Sequence, residues 1–365
     1  LGILSVFYKV GLSVRRFIYD RGLKQTKTLP TKVISIGNLT LGGTGKTPAV
    51  IALAEEAKKR GFNPCILTRG YGGKAKGPCF VKGSNELRVT SNIKGSNELK
   101  TKYSSLPSDS SLMARHSSLL YGDETLLMAE RLKDVPVVKC RDRYKGGIFA
   151  LNLSLVTDPS LLLFILDDGF QHWRLHRDLD ILLIDATDPF GNERLFPEGR
   201  LREPLDSIKR ADIIVITKAD MIDMESTLMI TERIKQYNPH IPVYTASHKP
   251  VSLINASGET NDIDSLKNKN IYAFAGIANP AYFKAILLSI GANVVRFKTF
   301  RDHYKYRQQD IGEIIKKADG LEIVTTEKDM VKLKDFKLSE NIYALRIDFS
   351  IEDAFYNYIF RRIQC

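Results

Sequence analysis

Cysteine is scarce. The 365 residues hold four, Cys65, Cys79, Cys140 and Cys365, widely spaced and without a CxxC pair. That spacing points to neither a disulfide framework nor a zinc knuckle, and it fits reduced thiols in a cytoplasmic setting. Long apolar runs are missing as well. Residues 1–19 come nearest, but a membrane span needs about 20 nearly uninterrupted apolar residues, and Lys9, Arg15 and Arg16 interrupt this stretch. It also lacks the basic start and small-residue cleavage site of a secretory signal. Between residues 82 and 118 apolar content is low and serine is frequent, and Lys82-Gly83-Ser84-Asn85-Glu86-Leu87 recurs as Lys94-Gly95-Ser96-Asn97-Glu98-Leu99. Such a segment cannot offset its ordering entropy and reads as a mobile insertion; two copies are too few for a solenoid.

Acidic residues are outnumbered, 42 against 54 lysines and arginines, for a formal charge of +12 and a pI near 9.3. The partner, substrate or surface is therefore expected to be anionic, and nucleic acid, phospholipid headgroups and phosphorylated substrates all satisfy charge alone. A chain of this length can bury one large core or two smaller ones, and two are expected.

What is present centres on Val33-Ile34-Ser35-Ile36-Gly37-Asn38-Leu39-Thr40-Leu41-Gly42-Gly43-Thr44-Gly45-Lys46-Thr47-Pro48. A β-branched run, a glycine-rich turn and a Lys-Thr helix start make a phosphate-binding loop, residues Thr40 to Thr47. Gly42, Gly43 and Gly45 let backbone N–H groups converge on an anion, Lys46 reaches the β- and γ-phosphates, and the Thr47 hydroxyl reaches Mg²⁺. The usual spacing GxxxxGK[ST] begins with glycine, where this chain has Thr40.

Elsewhere, Ile3, Phe7, Val10, Val14, Phe17 and Ile18 repeat at helical spacing, with Lys9 and Arg16 opposite. The pattern predicts an amphipathic helix, either packed on the body or lying in an anionic membrane interface. Strands are expected at 64–68, 135–139, 161–166, 181–184 and 213–217, alternating with helical or polar stretches as in a parallel α/β sheet. Arg69 follows the first of these and Asp167-Asp168 the third, at the sheet edge where a nucleotide enzyme needs charge for phosphate and Mg²⁺. Asp185 is a weaker candidate for the same task. A helix is expected after Tyr121, capped by Gly122 or Asp123. His172 and His176 stand four apart, without a visible third zinc ligand. Thr217-Lys218-Ala219-Asp220 resembles the guanine-reading element of GTPases. A second α/β series follows from 243 onward. The expected organisation is a terminal helix (1–30), a phosphate-loop core (31–240) and a smaller second α/β lobe (241–365) closing a cleft.

Four stretches, Gly37 to Pro48, Arg69-Gly70-Tyr71-Gly72-Gly73, Asp167-Asp168-Gly169-Phe170-Gln171-His172 and Leu201-Arg202-Glu203-Pro204, together resemble the tetraacyldisaccharide 4'-kinases of lipid A synthesis. Phe300-Arg301-Asp302-His303-Tyr304 and Thr326-Glu327-Lys328-Asp329 extend the likeness over nearly all the chain outside the Ser-rich segment. The family carries a threonine at the place of Thr40. The resemblance implies a P-loop NTPase-like α/β fold, with helices on both faces of the parallel sheet. It implies transfer of the ATP γ-phosphate, with Mg²⁺, to the 4'-hydroxyl of an acylated glucosamine disaccharide 1-phosphate. The place would be the cytoplasmic face of the bacterial inner membrane, with peripheral or monotopic attachment to an anionic surface and no nucleic-acid partner. It implies a base role for Asp123 and a supporting one for His303, the two meeting from different lobes. Catalytic work also falls to Lys46 and Arg202, and metal or phosphate roles to Thr47, Asp167, Asp168 and Glu203. The chain departs from the family at Glu193, where a second glycine is expected after Gly191. The runner-up readings are a membrane-associated GTPase or metallochaperone-type switch protein, and a basic membrane-binding adaptor.

Overall fold

Residues that alternate into both faces of a covered sheet must be apolar throughout, and the runs identified above are buried along most of their length. The protein's structure is a computed structural model that describes residues 3–81, 117–152, 161–334 and 336–364. Up to residue 116 the Ser-rich segment lies outside the described residues.

In chain order the elements are α1 (Ile3–Asp20), β1 (Lys32–Asn38), α2 (Lys46–Lys59), β2 (Asn63–Thr68), β3 (Cys79–Val81), α3 (Ser117–Tyr121), α4 (Asp123–Arg131), β4 (Val137–Lys139), α5 (Arg143–Asn152), β5 (Leu162–Asp167), β6 (Leu179–Asp185) and β7 (Ile213–Thr217). They continue with α6 (Met224–Lys235), β8 (Val243–Asn255), β9 (Thr260–Asn261), β10 (Asn270–Ala275), α7 (Pro280–Ser289), β11 (Asn293–Thr299), α8 (Gln308–Ala318), β12 (Glu322–Thr326), α9 (Glu327–Leu333), β13 (Ile342–Ile351) and α10 (Asp353–Gln364).

The chain divides into two units, one of Leu1–Arg69, Cys140–Pro250 and Ile347–Cys365, the other of Gly70–Lys139 and Val251–Arg346. The division differs from a single boundary at 240/241, because the described residues of 70–139 group with the later α/β series.

In the first unit, parallel strands run in the order β8-β7-β6-β1-β5-β2. β1 lies between β5 and β6, so the chain leaves it toward opposite sides of the sheet, a topological switch point outside whose strand ends ligands bind. Asn38, Thr68, Asp167, Asp185 and Thr217 all end strands at this carboxyl edge. A core of Phe170, Leu182, Ile184, Ile208, Ile214, Ile216 and Ile234 packs beside it.

The second unit has its own parallel strands, β11-β10-β12-β13, and an antiparallel β3–β4 pair. Its core gathers Phe274, Tyr306, Ile311, Ile314, Ile323 and Leu333. α4 packs on α9, joining its two stretches of sequence.

Candidate active site

The turn after β1 is shaped by its glycines. Gly45 has φ +80 and opens α2, and a side chain there would meet the imidazole of the buried His248 at 2.8 Å. The loop's other side is tied down: Leu41 N donates to Arg200 O at 2.6 Å, Arg200 donates back to Leu41 O, and Thr40 bridges to Leu201. Thr44 is buried, and its hydroxyl has no hydrogen-bond partner among the described residues. An orphaned donor beside glycine N–H groups at a helix start fits a phosphate.

Lys46 reaches Asn38 Oδ1 at 3.1 Å and Asp168 at 3.6 Å. Arg202 places Nη1 2.8 and 2.9 Å from the two Asp168 oxygens. Burial alone would raise the Asp168 pKa, but Lys46 and Arg202 outweigh it and hold the carboxyl at about 2. Asp168 also has φ +51, a conformation that costs a non-glycine residue of order 1–3 kcal/mol and is retained at working sites. Asp167 beside it accepts from Thr68 at 2.9 Å, and its carbonyl takes a bond from the buried Arg143 at 3.3 Å. The Thr47 hydroxyl and the Asp167 and Asp168 carboxylates are hard oxygen donors of the kind Mg²⁺ accepts alongside water and phosphate.

Glu203 does not join them. It is buried and bound to Arg210 at 2.5 Å, and Arg210 stacks over Phe170 and Trp173 at 4.5 and 4.7 Å. The metal role expected of Glu203 is thus replaced by a structural ion pair. Asp185 is likewise engaged by the buried Lys218, which removes Lys218 from any base-reading task. His172 and His176 lie in irregular backbone and not on a helix. Burial and nearby Arg143 push the His172 imidazole down to about 3, and no three-residue metal cluster occurs among the described residues.

The second unit carries the other charged centre. Asp123 opens α4, placed there by Gly122, whose φ of +89 and contact with the Tyr71 carbonyl leave no room for a side chain. Asp123 is 7 % exposed, and His303 Nδ1 lies 3.1 and 3.0 Å from its two oxygens. Burial would raise the Asp123 pKa; the hydrogen bond from His303 and the charges of Lys328, His303 and Lys332 bring it instead to about 2. The hydrogen bond to Asp123 raises His303 above its ordinary 6.5, against burial. Both residues belong to the same unit, so the expectation that they come from different lobes is corrected. His303 too stands at positive φ, +56.

A family model for tetraacyldisaccharide-1-P 4'-kinase matches residues 1–92 and 103–364. The chain belongs to the tetraacyldisaccharide 4'-kinase family. A member from Syntrophus aciditrophicus is 37% identical over 344 residues, 91% of this chain and 83% of its own. One from Aquifex aeolicus is 36% identical over 350 residues, 95% and 93% of the two chains. The crystal structure of Aquifex aeolicus LpxK in complex with ATP superposes with a TM-score of 0.69 at 33% identity, covering 99% of this chain and 97% of that one. Family membership makes the chain a kinase with the expected P-loop-like α/β fold, and it leaves the GTPase-switch and adaptor readings without support. The family model passes over residues 93–102 alone within the Ser-rich segment, so the part foreign to the family is narrower than 82–118.

Sequence reasoning missed Arg143, which carries no motif of its own. It also gave Lys328 no role.

Proposed function

We propose that this chain transfers the ATP γ-phosphate to the 4'-hydroxyl of an acylated glucosamine disaccharide 1-phosphate. Thr40, Leu41, Gly42, Gly43, Thr44 and Gly45 cradle phosphate with their backbone N–H groups, and Lys46 and Arg202 neutralise the charge that builds on the transferring group. Thr47, Asp167 and Asp168 would hold Mg²⁺, which when bound neutralises β- and γ-oxygens. The observation that carries the reading is the two-oxygen contact between Asp123 and His303.

A sugar hydroxyl is a weak nucleophile at neutral pH, and a positioned base contributes roughly 10²–10⁴-fold. A carboxylate held at about 2 is by itself a poor resting base. The imidazole supplies the missing proton affinity, so Asp123 and His303 act as one coupled acceptor.

The enzyme works at the cytoplasmic face of the bacterial inner membrane, attached peripherally through α1. Among the described residues no helix is long and apolar enough to cross a membrane. α1 packs its Ser5 and Tyr8 side inward while Phe7, Val10, Val14 and Phe17 are exposed.

Labelled ATP and a lipid A precursor disaccharide test the reading. Lys46→Ala should lower turnover by orders of magnitude. Asp123→Ala and His303→Ala should each reduce kcat severely, with the double variant little worse than Asp123→Ala and ATP affinity little changed. Lost thermal stability with kcat per folded molecule preserved would reduce Asp123 to a helix-opening residue.

A further inference from the structure

Behind the dyad sits one ammonium that touches the neighbours of both members. Lys328, on the first turn of α9, places Nζ 3.0 Å from Glu124 Oε1 and 3.2 Å from Asp302 Oδ1. Glu124 follows Asp123 in the chain, and Asp302 precedes His303. Asp302 Oδ1 also accepts from the backbone N–H of His303 at 2.9 Å, and Oδ2 lies 3.7 Å from His303 Nε2. Next to Lys328, Glu327 takes both of its carboxylate oxygens to Arg131 at the far end of α4, at 2.9 and 3.2 Å. Two consecutive residues of α9 therefore grip α4 near both of its ends with opposite charges.

The other lysine nearby is differently committed. Lys332 lies 4.0 Å from Asp123 but 2.6 Å from Asp329, which is itself fixed by Tyr306 and the Gly276 N–H. Among the described residues Lys328 binds both segments that carry the dyad, and its side chain is only 16% exposed. An ammonium so buried needs paired charge to remain an ion, and Asp123, Glu124 and Asp302 supply it, raising its proton affinity against burial.

We propose that Lys328 is a positioning residue for phosphate transfer, a single charged strut that holds Asp123 and His303 at contact distance by binding the residue beside each. The inference rests on the dyad being the base. Charges face His303 from each element around it: Asp123 and Glu124 from α4, Lys328 and Lys332 from α9, and Asp302 from its own loop, with the Tyr71 ring 5.6 Å away. Of these, the positive charge of Lys328 disfavours protonation of the imidazole and Asp302 favours it.

The test uses the full chain carrying Lys328→Met, Lys328→Arg or Asp302→Asn, with the pH profile of kcat, KM for ATP and an NMR titration of the His303 imidazole. Lys328→Met should lower kcat roughly 10- to 10²-fold, the scale of a misplacement near 1 Å, with KM for ATP unchanged. It should move the acidic limb and the imidazole titration to higher pH. Lys328→Arg should restore the titration and part of kcat. Asp302→Asn should move the titration the opposite way while also lowering kcat, and it keeps the proposal falsifiable if Lys328→Met does not fold. An unmoved titration in these variants, or a kcat loss that arginine does not relieve, overturns the positioning role. His303→Ala run alongside separates the failures: full activity there sinks the dyad as base, whereas the NMR titration judges Lys328 independently of turnover.

Discussion

At the scale of single residues, the dyad sets two pH dependences of opposite sign. His303 gains proton affinity on folding, so its protonated form stabilises the fold. That contribution is complete below the ordinary value of 6.5 and is lost as pH rises through the raised folded value. The proposed mechanism needs the reverse, an imidazole ready to accept a proton. kcat should therefore fall on the acidic side of a pKa above 6.5 while thermal stability in the same range rises; parallel changes would remove the dyad from the mechanism. Asp123, held at about 2 against an ordinary 3.8, contributes stability above 3.8 that disappears as pH falls toward 2. Glu193 is a second residue whose backbone decides its behaviour. Gly191, Asn192 and Glu193 have φ of 54, 56 and 55, so the glycine expected at 193 is the residue this turn favours. Left-handed backbone costs a residue with a Cβ roughly 1–2 kcal/mol, more than the exposed pair with Arg233 returns. Glu193→Gly should unfold at a higher temperature than Glu193→Ala, the reverse of the order in an ordinary turn or helix. Calorimetry of the two variants checks it.

Among elements, α1 couples its two faces. Inward, Tyr8 donates to the carbonyl of Arg202, the residue that holds Asp168, at 2.8 Å. Arg15 donates to Gln171 O at 2.6 Å, and Gln171 donates to Asn38 O at 2.9 Å, one residue's breadth from Lys46. Arg15 and Arg16 have protein partners, Gln171 for one and Asp20 and Asp206 for the other. Lys9, Arg21 and Lys24 remain exposed. Cations near an anionic surface contribute about 1 kcal/mol each, and burying a large apolar side chain contributes roughly 1.5–3 kcal/mol. The stripe of Phe7, Val10, Val14 and Phe17 should therefore outweigh charge. Changing those four to serine should release the protein from anionic vesicles in sedimentation, whereas raised salt should release it only partly. Complete release by salt would make docking electrostatic.

For the whole molecule, the legible part was what local chemistry specifies. β1, the loop and α2 could be read because a doubly buried strand, three glycines and a Lys-Thr pair each constrain the backbone. β3 could not, since three residues carry no periodicity. Glu203 misled because a motif names a residue without its partner, and only the fold shows Arg210 beside it. The Asp123–His303 contact spans 180 positions, so no local pattern announces it. Residues 93–102, outside the family model, include the whole of the second Lys-Gly-Ser-Asn-Glu-Leu copy. Their deletion should leave labelled-phosphate transfer within a small factor of the full chain, and a folded but inactive deletion variant would assign them to the substrate site.

The interleaving of the two units also orders events during synthesis. Asp123 leaves the ribosome 180 residues ahead of His303, and at roughly 5–20 residues per second that is a delay of about ten to forty seconds. Throughout it α4 lacks the imidazole and the ammonium charges that offset burial of the Asp123 carboxylate. The first unit waits longer still, for the stretch beginning at Ile347. A ribosome stalled before His303 thus releases a phosphate loop without the proposed dyad.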